Sequence, residues 1–299
     1  MLSMNCFKLA SSRRGRINSI DEVLTCVCLL LSASTVAAAQ EKKLEIPELL
    51  SRHLEAVGSA EVRVAIKSRF AAGTVKYVSR IGGGGNLEGT IGYVSLGPKT
   101  RFSIKFLNPQ YPGEQLAYDG KNLELGVQPA GRRSDLNLFI DQQNLPIKDG
   151  LLGGVLSTAW PLLKDPIPAR LEYKGTRKID GRPLHALVYH QQKGSPDLKV
   201  TLFFDPETFR HVRSEYEFQI GARMGVGPNQ STRIPESRYL LSEDFEDFRA
   251  VDGLTLPHKV KLQLSVQASA SNRLIDWTLS LDQIVHNQPI EDNVFSLKP

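Results

Sequence analysis

Two phrases decide how this chain folds: Tyr173-Lys-Gly-Thr-Arg-Lys-Ile-Asp-Gly-Arg182 and Thr201-Leu-Phe-Phe-Asp-Pro-Glu-Thr-Phe-Arg210. The first reads as a strand that ends in a tight Asp180-Gly181 turn. The second reads as a strand that ends at Asp205-Pro206, with a new strand starting at Phe209. Between them lies a third apolar run, Leu184 to Tyr189. Turns this short join only antiparallel neighbours, so the segment is a meander. A long antiparallel sheet with no evident chemistry on it points to a protein that holds something rather than one that transforms it.

Working outward, the same two-residue alternation recurs. Val62 to Phe70 reads as a half-buried strand, with Val62, Val64, Ile66 and Phe70 alternating against Arg63, Lys67 and Arg69. Ile81 to Asn86 reads as a flexible glycine turn. Strands follow over Glu88–Ser95, Thr100–Leu107, Gln115–Tyr118 and Asn122–Val127, the last two flanking Asp119-Gly120. After the middle of the chain they resume over Ala169–Ile179, Leu184–His190, Leu198–Phe204 and Phe209–Ile220. A polar loop, Gly221–Pro235, precedes the last three, Tyr239–Ala250, Leu256–Val266 and Asn272–Val285. Ile46 to Val57 has helical spacing, with Pro47 in its first turn and Gly58 at its stop. Ser134 to Leu163 loses the strand period. There Leu152, Val155, Leu156 and Trp160 recur at helical spacing up to Pro161, approached through a glycine-rich, loose Gly150–Gly154. So many strands must curl or close, and a few helices cannot cover both faces. The fold class is therefore mainly β with a few α-helices. It is a strongly curved antiparallel sheet, an incomplete β-barrel whose apolar concave face is covered by helices. Residues 40–299 form one domain, with a helical insertion at about 134–163.

The first 39 residues read as a signal peptide. Arg13, Arg14 and Arg16 precede an apolar stretch from Val23 to Val36, and Ala37 to Ala39 supply the small residues of a cleavage site, leaving Gln40 as the mature start. Cys6, Cys26 and Cys28 all fall in this leader. Thr25 and Val27 precede the last two, where lipid attachment needs a small residue. The mature chain is then free of thiols, without a transmembrane segment, and periplasmic or secreted. The whole chain carries a net charge of +5 with its bases scattered, which predicts no nucleic-acid partner.

The order of helix, long strands, inserted helix and further strands resembles the LolA-like family of periplasmic lipoprotein carriers, the outer-membrane lipoprotein-sorting proteins. The local phrases resemble it too: Tyr118-Asp-Gly-Lys-Asn-Leu123, Tyr173-Lys-Gly with Asp180-Gly-Arg182, Phe204-Asp-Pro-Glu-Thr208, Val251-Asp-Gly-Leu-Thr-Leu-Pro257 and Asn293-Val-Phe295. These motifs are turn chemistry and cover most of residues 44 to 299. The resemblance implies a non-enzymatic carrier whose ligand, lipoprotein acyl chains or another lipid, lies in the concave face beneath a lid. It also implies an arginine that ties lid to barrel, which no local motif locates.

On that reading Val64, Ile66, Phe102, Ile104, Phe106, Phe204, Tyr216 and Phe218 line the cavity, and Leu152, Val155, Leu156 and Trp160 form the lid. Each aromatic taken alone reads as core packing sooner than as ligand contact, and only the group points to a cavity. No catalytic residue, metal site or cofactor is expected. His185 and His190, five apart, face opposite sides of a strand. Glu243 to Asp247 reads as a solvated acidic stretch beside an inward Phe245, Gly82 to Gly85 as a hairpin rather than a phosphate loop, and Gly153 to Ser157 lacks the spacing of a nucleophile elbow. The alternatives are a sensor or scaffold that docks an envelope protein partner through a strand edge, and a hydrolase with its residues spread over loops. N-terminal sequencing of the exported protein is expected to begin at or near Gln40; an intact leader, or lipid on Cys26 or Cys28, contradicts this.

Overall fold

The computed structural model describes residues 44–81, 85–191, 197–221, 236–268 and 271–298. The leader, the cleavage site, Gly82–Gly84 and nearly all of the polar loop before Glu236 lie outside these residues.

Helix α1 spans Ile46–Val57, as the periodicity predicts, with proline in its first turn. The next segment departs from expectation. Val62 to Ile66 is not strand: Ser59 caps a short helix, α2, over Ala60–Ala65, its hydroxyl accepting from Val62 N–H at 3.4 Å. The alternation of Val62 and Val64 fits both periods over so short a run, and a serine followed by Glu61 favours the helix start. Strand β1 begins only at Ser68 and runs to Ile81. Strands β2 (Gly85–Leu96), β3 (Lys99–Phe106), β4 (Gly113–Tyr118) and β5 (Leu123–Leu125) follow. Residues 126–168 then hold helices α3 (Asp135–Gln142) and α4 (Leu145–Lys148) and single turns of 3₁₀-helix at Gly154–Leu156 and Pro161–Leu163. Seven strands complete the chain: β6 (Ala169–Ile179), β7 (Arg182–Gln191), β8 (Lys199–Phe204), β9 (His211–Ile220), β10 (Ser237–Val251), β11 (Leu254–Ala268) and β12 (Ser271–His286).

All twelve strands form one antiparallel sheet in the order β5-β4-β3-β2-β1-β12-β11-β10-β9-β8-β7-β6. Every sequential pair is adjacent except β5 and β6, which are the two edges. β1 and β12 meet mid-sheet, with Arg69 opposite His286. The turns expected from sequence are present. Asp180 and Gly181 both have positive φ, as do Asp252 and Gly253, which is the two-residue hairpin geometry that matches strand twist. Asp119 and Asp205 fold their carboxylates back onto the backbone N–H groups two and three residues on.

Laid flat, twelve strands at ~4.8 Å spacing would span roughly 50 Å, far wider than a helix. Yet the 126–168 segment touches the sheet from β4 to β7: Ser134 Oγ donates to Glu114 at 2.5 Å, and Tyr189 OH reaches Asp149 at 3.4 Å. The sheet therefore curls around this segment. Its inner face is apolar. Val260, Leu262, Leu264 and Val266 of β11 are buried inward, while Lys261, Gln263 and Ser265 between them are only half-buried. One buried cluster runs from Tyr118 on β4 to Tyr189 on β7 and takes in α1 and the insertion. The β6 edge is bulged between Tyr173 and Thr176 and carries Lys174, Arg177 and Lys178, features that discourage pairing with another chain. No helix among the described residues is long and apolar enough to cross a membrane.

Ile104 is fully buried on the inner face and sits in register with Ile91 on one side and Glu114 on the other. Ile104→Asp would place a second carboxyl beside the buried Glu114. We expect a loss of about 4 kcal/mol or more at pH 7, smaller at pH 5, in urea denaturation. A variant with wild-type stability at pH 7 would mean that this face is wet.

Candidate functional site: an apolar hollow beneath a clasped insertion

The site lies between the inner face of the sheet and the stretch Gly150–Trp160. The spacing there predicts an apolar helix entered through loose glycines, and neither expectation holds. Gly150, Gly153 and Gly154 all adopt the left-handed conformation, which breaks the helical ladder. The backbone bonds that remain are three-residue turns: Leu156 N–H to Gly153, Ser157 to Gly154, Trp160 to Ser157. Nor is Gly154 loose. A Cβ there would come within 2.8 Å of His211 and 2.9 Å of Phe245, so the backbone presses directly onto the sheet.

Leu152, Val155, Leu156 and Trp160 are nevertheless all buried on the sheet side. Leu152 and Leu156 form the roof of a small cavity of about 30 Å³, whose floor is Ile91, Phe102, Leu279 and Leu281. Trp160 stacks on His211 at 4.7 Å and donates from Nε1 to His53 Nε2 at 3.3 Å. Phe204 packs edge-on to His53, and Phe218 packs against Phe139 of α3. Phe106 joins Tyr77 and Tyr111 further along the inner face. Phe102, Ile104, Phe106, Phe204, Tyr216 and Phe218 are thus all buried inside. Val64 is not. It lies on α2 with 68% of its surface exposed and lines nothing. Ile66 ends α2, half-buried at the edge of the core.

Three polar groups of the sheet reach into this apolar setting and hold the insertion. Arg69 of β1 is buried and donates from Nη1 to the Val155 carbonyl at 2.5 Å. Its Nε donates to His286 Nε2 at 2.9 Å, and His286 Nδ1 faces Asp252 Oδ2 at 2.8 Å. His286 must accept at Nε2, so its single proton is on Nδ1; burial, which lowers its pKa, favours this neutral form. Burial also lowers the Arg69 guanidinium to about 10, still a cation at neutral pH. Ser95 of β2 accepts from Thr158 N–H at 2.9 Å. Glu243 of β10 accepts from Gly153 N–H at 2.7 Å and from Tyr216 OH at 2.8 Å. Desolvation raises the Glu243 carboxyl to about 7, opposed by these two hydrogen bonds.

The expected solvated acidic stretch is therefore divided. Glu243 shares parity with Leu241 and Phe245 and points inward, whereas Asp244 pairs outside with Arg213 at 2.6 Å. The alternation was the signal: a carboxylate two residues from an inward phenylalanine lies on its face. Arg69 was readable in the same way from the inward Ala71 and Val75, once β1 is started at Ser68. His53 sits at the centre of α1's buried stripe, between Leu49 and Val57. It accepts from Trp160 at Nε2 and donates from Nδ1 to the Phe209 carbonyl at 3.1 Å, and burial lowers its pKa to about 4. Ser214 Oγ lies 3.1 Å from His211 Nε2, but both are sealed in the core and the second ring nitrogen has no partner. That pair supports Trp160 rather than facing solvent. Among the described residues no group of three or more metal-ligating side chains gathers.

No family model matches the chain, and no curated protein does. Several solved structures are similar to it. A LolA superfamily protein from Nitrosomonas europaea covers 85% of this chain and 98% of its own length, at 12% identity and a TM-score of 0.41. A DUF1329 family protein from Desulfovibrio piger covers 84% and 97%, at 13% identity and 0.43. MucB of Pseudomonas aeruginosa, in its complex with MucA, covers 80% of this chain at 11% identity and 0.21. Similarity this distant transfers no function.

Glu243→Gln tests the buried carboxyl. A group whose folded pKa is raised, from 4.5 to about 7, contributes its full stability below pH 4.5 and loses it as pH rises through 7. Glutamine cannot ionise. Relative to wild type, the variant should gain on the order of 3 kcal/mol between pH 4.5 and pH 8, read from urea midpoints. A difference that stays constant with pH would mean that Glu243 titrates as a solvated acid.

Proposed function

We propose that this protein is a non-enzymatic carrier that binds an apolar chain between the inner face of its sheet and the 150–160 stretch. The observation that carries this is the clasp. The insertion covers an apolar face, yet Arg69, Ser95 and Glu243 fasten it through buried polar bonds where packing residues would serve stability as well or better. Such bonds suit a segment with two positions, because each can exchange its partner for water when the segment lifts.

In the closed state the cavity of about 30 Å³ has room for roughly one water, against ~300 Å³ or more for a ligand pocket. A ligand must therefore displace the leucines of the roof. An acyl chain substitutes well for them, since each methylene buried contributes ~0.8 kcal/mol, set against the cost of lifting the segment. Lipoprotein acyl chains and other lipids both fit this description. The exported location expected from the leader, periplasmic or secreted, belongs to the same reading. Docking of an envelope protein through a strand edge draws no support from β6, which is bulged and charged.

Arg69→Leu removes the strongest tie while keeping the position apolar. If the insertion is a lid, the closed state loses weight and apparent affinity for a fatty-acyl probe rises, roughly tenfold for each 1.4 kcal/mol of lost closure. Trp160 emission, with Trp277 replaced, should shift as the probe is titrated. A folded Arg69→Leu protein and a wild type that both fail to bind any acyl probe, with Trp160 silent, would make the insertion a fixed part of the core.

A further inference from the structure

A second, larger opening lies on the same inner face. It is an open pocket of about 380 Å³, within the range of small-ligand sites. Strand β12 connects it to the hollow. The inward residues of this strand are, in order, Arg273, Ile275, Trp277, Leu279 and Leu281. The first three line the pocket, and the last two floor the cavity beneath Leu152 and Leu156. Consecutive inward residues are ~6.8 Å apart, so the two spaces lie end to end along one strand. The pocket lies at the outer end of this line and is called the mouth below.

Its chemistry differs from the hollow's in a consistent way. The floor is aromatic: Tyr77 lies 5.8 Å from Trp277 and 4.9 Å from Tyr111, and Trp277 Nε1 donates to Tyr111 OH at 3.1 Å. The walls are cationic. Arg132 is exposed and has no ion-pair partner among the described residues. Arg133 pairs with Asp141 at 2.7 Å. Arg273 pairs with Asp135 at 2.8 Å through Nη1 alone, and its buried Nε–H has no acceptor. The carboxyl of Glu114 is turned away from a ligand by Tyr111 OH and Ser134 Oγ, each at 2.5 Å, and burial raises it to about 7. Three guanidinium groups thus line the mouth, against Asp135, the Asp141 that pairs with Arg133, and a carboxyl that burial drives towards its neutral form. Two of the three have donors to spare.

Resting on the carrier reading above, we propose that this mouth binds the anionic head of an amphiphile, a phosphate or carboxylate, while the tail runs down β12 from Trp277 into the hollow. Arg132 and the part-exposed guanidinium of Arg273 supply the charge-assisted donors. The rings of Tyr77, Tyr111 and Trp277 take the first methylenes below the head, as aromatic side chains do where water meets an apolar phase. A head left in bulk water would give the mouth no reason for three arginines above an aromatic floor.

The test is calorimetric titration of the full-length mature protein with dodecyl phosphate, dodecanoate and dodecyl maltoside, each below its micelle concentration, and with inorganic phosphate. The two anionic amphiphiles should bind at least tenfold more tightly than the maltoside, and phosphate alone far more weakly. Arg132→Glu, on the exposed rim, should weaken the anionic pair roughly tenfold, the loss of about one charge-assisted hydrogen bond, and leave the maltoside unchanged. Added salt should weaken only the anionic pair. Equal binding of all three amphiphiles, or an Arg132→Glu protein that binds the anionic ones as wild type does, overturns the head site and leaves the hollow standing. Phosphate that binds as tightly as dodecyl phosphate also overturns the proposal, by reducing the mouth to an ion site. No amphiphile binding at all removes the carrier reading and the head site with it.

Discussion

An apolar sheet face twelve strands wide must be hidden from water, and two short N-terminal helices cannot hide it. The other elements are arranged around that constraint. The sheet curls until its edges approach the same cover, and the chain between those edges, residues 126–168, becomes the cover itself. Because this segment is the sole connection between non-adjacent strands, it starts at one edge and ends at the other, and it has to cross the hollow to do so. The left-handed glycines at 150, 153 and 154 let it turn sharply enough to press on the β-sheet.

The polar ties inside that interface are costly unless fully paired. Taking Arg69 out of water costs several kcal/mol, and its bonds to the Val155 carbonyl and to His286 offset part of this. The benefit is registry. A greasy segment on a greasy face can slide, whereas a guanidinium, a carboxylate and a serine hydroxyl, on β1, β10 and β2, define one register for the closed segment.

The sheet was largely legible because its information is local. Asp-Gly pairs, Asp205-Pro206 and strict alternation over β11 and β12 fix turns and faces within a few residues. What was not legible depends on contacts between distant residues. Val62 and Val64 alternate like a strand but obey Ser59. Leu152 to Trp160 have helical spacing, but three backbone conformations that favour glycine override it. Glu243 looked solvated because it opens an acidic run, Glu243-Asp-Phe-Glu-Asp247, and only its parity with Phe245 betrays its burial. The mouth was not legible at all. Arg132, Arg273, Tyr111 and Trp277 come from separate parts of the chain, and no spacing joins them.

The seam between β1 and β12 has a consequence for the order of events in folding. Arg69 and His286 are partners across it, 217 residues apart in the chain. Neither half of the sheet can orient the guanidinium alone, since the imidazole that takes its Nε–H arrives on the last strand. Loop closure over such a distance is slow and entropically late. The clasp on Val155 is therefore assembled only after β12 has paired with β1 in the middle of the sheet, so a closed cover reports that the two halves of the sheet have joined. Until then the inner face stays open, and a nascent copy of this protein presents to its surroundings the apolar surface that the folded one keeps beneath its cover.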